Sequence, residues 1–271
     1  MNEHDSPINR RTALGTITAA TLLPFTGCTA AGDPPDNESN AIEAISTEDL
    51  HLVVELREDS VVDELSIVDP AGKSFATASV AQGVRTVSFD LGATYLPGEF
   101  GVYATRSGTQ VGESTLEIRP DIRITDLKLA RNHPTEMYDG ASEYSIASEA
   151  IVTVENFGTG PDAITNLRFV GDVPYPDSEL FEESGIYDTQ SEHGGNREQV
   201  QISSEQELVL FSSSHPFSPA ADDEYCRRSL DDGSFTVEVD SHLTNTPVKT
   251  RFEISFRGRS GDDCDITISE V

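Results

Sequence analysis

Basic residues, tryptophan, cysteine and long apolar runs are all scarce in this chain. Its 271 residues carry 18 Lys+Arg against 48 Asp+Glu, a formal net charge of −30, with 3 Cys and no Trp. So little basic surface makes phosphate backbones and anionic head groups poor partners, which excludes nucleic acid. No heptad persists, and Ser, Thr, Gly and Val dominate, so a coiled coil or helical bundle is excluded. Apolar residues make up 36% of the chain and fall in many alternating stretches, which argues against disorder throughout despite the charge. The length suits one large domain or two small ones.

The acidic excess includes only three lysines, Lys73, Lys128 and Lys249. This composition resembles that of proteins from salt-loving archaea. Thirty uncompensated charges repel one another in dilute buffer, and at molar salt the Debye length falls to about 3 Å and screens them.

The first residues read as an address. Arg10 and Arg11 precede a mild apolar run from Ala13 to Phe25, and Thr26-Gly27-Cys28 follows. A basic start, a short apolar segment and small residues at the cut describe an export signal over 1–27; thirteen apolar residues are too few to span a bilayer as a helix. The twin arginines point to the Tat route. Thr-Gly-Cys resembles a lipobox, which implies that Cys28 becomes the lipid-modified first residue, anchored at the extracytoplasmic face of the cell membrane. Losing 1–27 removes two acidic and two basic residues, so the charge stays at −30. Residues 28–48, with Gly-Asp-Pro-Pro-Asp-Asn-Glu-Ser-Asn, read as a flexible tether containing at most a short helix at 41–45.

From Leu50 the apolar period is two. Leu50, Leu52, Val54 and Leu56 alternate with His51, Val53, Glu55 and Arg57, the pattern of a half-buried strand. Asp69-Pro70-Ala71-Gly72 and Leu96-Pro97-Gly98 are turns. Six strands in 49–119 have the spacing of a β-sandwich, and Tyr95-Leu96-Pro97-Gly98-Glu99-Phe100-Gly101-Val102-Tyr103 resembles the strand-entry turn of small immunoglobulin-like modules. Arg119-Pro120-Asp121 marks a boundary. In 120–271 strands are expected at 122–129, 146–155, 163–167, 207–211, 234–241, 248–257 and 265–269. The run Val154-Glu155-Asn156-Phe157-Gly158-Thr159-Gly160-Pro161 resembles the strand-to-strand turn of the CARDB type of immunoglobulin-like domain. The fold class expected is therefore all-β, with two tandem immunoglobulin-like β-sandwiches after the signal and tether.

Cys226 and Cys264 remain once Cys28 is set aside. In an exported chain they read as a disulfide that contributes about 4 kcal/mol in the chain-entropy model; two inert thiols, or half of a metal site, are the alternatives. No H-E-x-x-H, G-x-S-x-G or P-loop motif occurs, so a non-enzymatic reading leads and no cofactor is required. The loops 171–198 and 212–232 are far longer than usual connections. Asp222, Asp223, Asp263 and Asp265 form acidic clusters that would meet if the cysteines are bonded, the one place to look for calcium; a solvated acidic surface is the alternative. Tyr175, Phe181 and Tyr187 lie in the long loops, where they either anchor the loop or bind a glycan or protein. The function expected is a lipid-anchored adhesion, interaction or envelope-scaffold module, touching the membrane through its lipid and an envelope protein or glycan through its loops. A ligand-binding lipoprotein for carbohydrate or calcium, using those loops, is the alternative.

Circular dichroism is expected to show the folded β spectrum at molar salt and its loss on dialysis into dilute buffer. Full structure in low salt would refute the salt requirement.

Overall fold

A computed structural model describes residues 40–177, 185–188, 197–218, 232–257 and 265–271. Seven strands form the first sandwich: β1 (Ile42–Glu48), β2 (His51–Leu56), β3 (Glu64–Val68), β4 (Ser74–Ser79), β5 (Thr86–Asp90), β6 (Gly98–Arg106) and β7 (Thr109–Ile118). They build two antiparallel sheets, β1-β2-β5 and β4-β3-β6-β7. Period-two alternation generates the packing: Phe100, Val102 and Ala104 of β6 are buried while Glu99 and Arg106 are exposed. These inward rows meet Leu52, Val54, Leu56, Leu65, Ile67 and Phe89 in one core. The expected turn at 69–72 is closed by Gly72 donating to the Asp69 carbonyl (2.9 Å), and Asp69 Oδ1 accepts from Ala71 and Lys73 amides.

The second sandwich comprises β8 (Ile122–Leu129), helix α1 (Glu143–Ser148), β9 (Ala150–Asn156), β10 (Asp162–Gly171), β11 (Ile186–Asp188), β12 (Val200–Ile202), β13 (Glu207–Ser212), β14 (Gly233–Ser241), β15 (Val248–Arg257) and β16 (Asp265–Glu270). Its sheets are β11-β13-β9-β8 and β12-β10-β14-β15-β16. In a chain without Trp, phenylalanines fill the space between them. Phe217 meets Phe169 (6.0 Å between ring centroids) and Phe235 (5.8 Å), and Phe235 stacks on Phe252 (5.6 Å). Each fully buried ring contributes about 1.5–3 kcal/mol of transfer free energy.

The all-β, tandem-sandwich class expected from the sequence is the class observed, with two local corrections. The tether expected over 28–48, with a short helix at 41–45, gives way at Ile42 to β1. Ala41 and Ile42 are buried, and the strand pairs with β2 along its length; tertiary pairing overrides local helix propensity there. The strand expected over 146–155 begins only at Ala150. Before it stands α1, whose first turn is capped by Ser142 Oγ accepting from the Ser145 amide (3.0 Å), a cap of the ordinary N-terminal kind.

The two sandwiches are joined through the turn 156–161. Asn156 is fully buried. Its Nδ2 donates to the carbonyls of Gly160 (2.8 Å) and Ser203 (3.0 Å), and its Oδ1 accepts from the amides of Gly158 and Asp121 (both 3.0 Å). Every hydrogen-bonding position of that amide is therefore used. Thr159 and Gly160 amides donate to the Arg119 carbonyl, and Thr159 Oγ1 donates to the Glu117 carbonyl (2.6 Å). Thr47, at the end of β1, donates to the Thr159 carbonyl (2.5 Å). Tyr95, buried in the first sandwich, donates its hydroxyl to the Pro161 carbonyl of the second (3.0 Å). Burial, and then the Asp162 carboxylate, push the Tyr95 phenol above its usual range, so it stays a donor. Glycine is required here by proximity: a Cβ on Gly158 would stand 2.2 Å from the Arg119 carbonyl oxygen, and one on Gly160 2.2 Å from the Tyr95 hydroxyl.

Gly158→Ala and Gly160→Ala are each expected to cost about 1–3 kcal/mol through forced displacement. Tyr95→Phe should cost about 1–3 kcal/mol by stranding a buried carbonyl. Chemical unfolding at molar salt measures all three.

Candidate interaction surface at the far end

Strand direction sorts the second sandwich into two ends. Asn156, Asp162 and Glu207 lie at the joint, and Ala150, Gly171, Ser212, Gly233, Arg257 and Asp265 lie at the opposite end. The described parts of both long loops, 171–177 and 212–218, therefore emerge at the far end.

The turn 213–218 is the centre of this end. Phe217 is fully buried and anchors it, with its amide donating to the Ser148 carbonyl (3.0 Å). Arg131 donates to the carbonyls of Ala147 (2.7 Å) and Phe217, tying α1 to the turn. Two tyrosines flank it. Tyr144 of α1, 53% exposed, lays its ring against His215 (5.1 Å between centroids) and shares a hydrogen bond with Ser218 Oγ (3.0 Å). Tyr175, 63% exposed, is held by its amide donating to the Pro216 carbonyl (2.9 Å). His215 itself adopts φ 57°, a left-handed conformation in which His is among the more tolerated side chains.

Beneath the turn, Glu149 is only 4% exposed. Its Oε1 accepts from the Tyr138 hydroxyl (3.1 Å) and lies 3.6 Å from His215 Nε2, while Oε2 is buried without a hydrogen-bond partner. Burial raises the Glu149 carboxyl above its ordinary range, against the opposing pull of Ser145 and Tyr138. Burial lowers the His215 imidazole. Asp177 is likewise raised by burial, partly offset by the Phe169 amide and Ser214 hydroxyl that its Oδ2 accepts (2.8 and 3.2 Å) and by Arg168. Burial thus shifts both Glu149 and His215 toward their neutral forms, while Tyr144, Tyr175 and Ser218 place rings and hydroxyls at this end.

Of the residues expected from the sequence to bind, Tyr175 stands exposed at this end. Tyr187 lies in β11 opposite Phe211, and its side chain is outside the described residues. Asp265 is exposed at the start of β16, opposite Arg257. Phe181, Asp222, Asp223, Asp263, Cys226 and Cys264 lie outside the described residues, as do Arg10, Arg11 and Cys28. Among the described residues no group of three or more His, Cys, Asp or Glu side chains could hold a metal ion, and no helix is long and apolar enough to cross a membrane. Glu149, Tyr138 and Tyr144 carry no motif in the sequence, and His215 was signalled only by its place in the long loop 212–232. The one local signal available was the Ser-x-x-Ser cap that starts α1.

No protein-family model matches the chain, and no curated protein matches it. Among solved structures, a two-domain fibronectin type-III segment from chicken tenascin is similar at 11% identity and a TM-score of 0.27, covering 86% of this chain and 98% of that one. The human OSCAR ligand-binding domain is similar at 9% identity and a TM-score of 0.21, covering 75% and 87%. A β-glucuronidase of glycoside hydrolase family 2 is similar at 12% identity and a TM-score of 0.27, covering 84% of this chain and 20% of that one; the chain spans about a fifth of that enzyme. These likenesses carry no functional weight, and the sandwich class rests on the strand order itself.

A carboxyl raised on folding stabilises the native state below its unfolded pKa of about 4.3 and loses that contribution as pH rises through the folded value. Glu149→Gln removes the titration. The melting temperature of this variant minus that of the unaltered protein is expected to grow as pH rises above about 4.3; a difference independent of pH would show that folding leaves the Glu149 titration unshifted.

Proposed function

We propose that this protein is a lipid-anchored, non-enzymatic surface module of a halophile, whose paired immunoglobulin-like sandwiches, the second CARDB-like, hold an interaction surface away from the membrane. The observation that carries the reading is the placement of the two ends of β1. Asn40 and Ala41 enter the fold beside β7, where Ala41 donates to the Val111 carbonyl (3.0 Å) and Asn40 clasps Glu113 through its Nδ2 and Oδ1. Thr47, at the other end of the strand, is already in contact with the second sandwich. The chain therefore enters the first sandwich at the end opposite the joint, and among the described residues the surface around Tyr144, Tyr175 and His215 lies at the other end from Asn40. Eleven residues lie between Cys28 and Asn40, a reach of about 40 Å when extended.

A second reading, a glycan-binding lipoprotein, is favoured by the two exposed tyrosines beside hydroxyl groups at that end, because rings that are apolar on their face and polar at their tip suit sugars. The calcium version of that reading rests on Asp222, Asp223, Asp263 and Asp265 meeting through a Cys226–Cys264 disulfide. Its support is that the described flanks of both segments adjoin: Asp232 accepts from Ser255, and Arg257 pairs with Asp265.

Mass spectrometry of the protein from its native envelope is expected to find a lipid-modified N-terminus at Cys28. Cys28→Ser should move the protein from the membrane fraction to the medium. An intact Met1 on a membrane-free cytosolic protein would overturn the proposal.

A further inference from the structure

The geometry points to a second copy of this chain as the partner of strand β4: a two-fold, antiparallel dimer formed along its free edge, with Thr77 of one copy facing Thr77 of the other. β4 pairs with β3 alone and ends its sheet. The Val80 amide donates to the Asp63 carbonyl (2.8 Å). Strand alternation then turns the backbone of Ala78 towards β3 and leaves the N–H and C=O groups of Thr77 and Ser79 facing outward. An outward row of unpaired backbone groups is a template for another strand.

Edge strands are ordinarily blunted by charge, length or cover, and in this chain the others are. β1, β5, β8 and β16 carry Glu43, Asp90, Asp126 and Asp265 respectively, β11 and β12 are three residues long, and β7 carries Glu113 and is covered by Asn40 and Ala41. β4, six residues long, has no charge and no cover among the described residues; its one irregularity is a bulge at Phe75, near its start and away from Thr77 and Ser79. Residues 74–84 include no charged residue and no proline, and the charges that bound them, Lys73 and Arg85, are both cationic. In a chain of net charge −30 this is an edge where two copies can approach without setting carboxylate against carboxylate. At molar salt a Debye length of about 3 Å removes the opposition of the rest of the surface.

Symmetry limits the register, and the side chains choose within it. In a two-fold antiparallel pair, outward-facing residues must meet outward-facing residues, which any axis through a residue of β4 satisfies; the axis at Thr77 also aligns Ala76 with Ala78 of the second copy and sets threonine on threonine. Directly opposed Thr–Thr pairs are favourable cross-strand neighbours. Thr77 is exposed, and Ala76, Ala78 and Ser79 are small enough to leave the approach open. One strand edge is a small interface, below the roughly 1,200 Å² of standard complexes, so the affinity expected is micromolar. β4 runs along the axis joining the tether end to the joint, since Ser79 pairs with Glu64 and Glu64 with Thr105, beside the Asn40 entry. The two copies therefore lie head to tail, with their Asn40 entries at opposite ends of the pair, which fits contact between two opposed surfaces. That last consequence rests on the anchoring proposed above; the dimer does not.

Sedimentation velocity of the full chain at molar salt, up to about 0.1 mM where a micromolar pair saturates, is expected to show the mass doubling. Thr77→Lys sets two cations face to face on the axis. Thr77→Pro removes the outward N–H without breaking a bond to β3. Both are expected to restore the monomer mass with an unchanged circular dichroism spectrum; if the proline variant unfolds, the lysine variant decides, because its side chain is in solvent. Thr77→Cys should yield a reductant-sensitive dimer where Ser79→Cys does not. A monomer at every concentration, or a dimer indifferent to Thr77→Lys, overturns the proposal, and cross-linking through Ser79→Cys in place of Thr77→Cys overturns the register.

Discussion

Asn156 has two donors and two acceptor positions, and the fold uses all of them inside one buried turn. That side chain holds Gly158 and Gly160 in place, brings the Arg119 carbonyl against the turn and sets the Pro161 carbonyl where Tyr95 can reach it. The exit strand of the first sandwich, the entry strand of the second and the end of β1 are consequently tied to one point. A buried amide with every partner present is costly to disturb, since each lost partner leaves a desolvated group behind. The orientation of the far end relative to the tether entry depends on this knot more than on any apolar contact between the sandwiches.

Charge is the second constraint, and it works against the first. Glu207 stands directly opposite Glu155 in the β13–β9 register, a like-charge pairing that destabilises a sheet in dilute buffer. The scarce cations sit beside carboxylates: Arg119 on Glu117, Arg123 on Asp121, and Arg168 and Lys249 together on Glu238. Most such pairs are exposed and contribute little individually. On the halophilic reading proposed above, salt screens this acidic shell around the two apolar cores. The uncharged edge of β4 stands out against that shell because contact there does not bring carboxylates together.

Much of the architecture was readable in the residues because strands advertise themselves by a period of two. Phe100, Val102 and Ala104 alternate with less buried neighbours in the sheet as their period of two predicts, and Asp69 to Gly72 form the turn their chemistry demands. The run from Val154 to Pro161 was legible as a strand-turn-strand unit from its glycines alone. Its role was not, because the atoms those glycines avoid belong to Arg119 and Tyr95, far away along the chain. The helix α1 was hidden for a different reason: Glu143 to Ser148 has no long periodic face, and only its cap and its packing against the 213–218 turn make it helical.

By itself, then, the sequence determined the all-β class, the tandem division around Pro120 and the acidic excess, since each follows from composition or from short-range pattern. Tertiary structure alone decided that Ile42 to Glu48 join a sheet, that Asn156 governs the joint, that β4 is left with an open uncharged edge, and that Glu149, His215, Tyr144 and Tyr175 gather at one end. Those outcomes depend on which distant residues are brought into contact, and a buried carboxyl or an unpaired strand edge has no local signature: both are defined by what surrounds them in space.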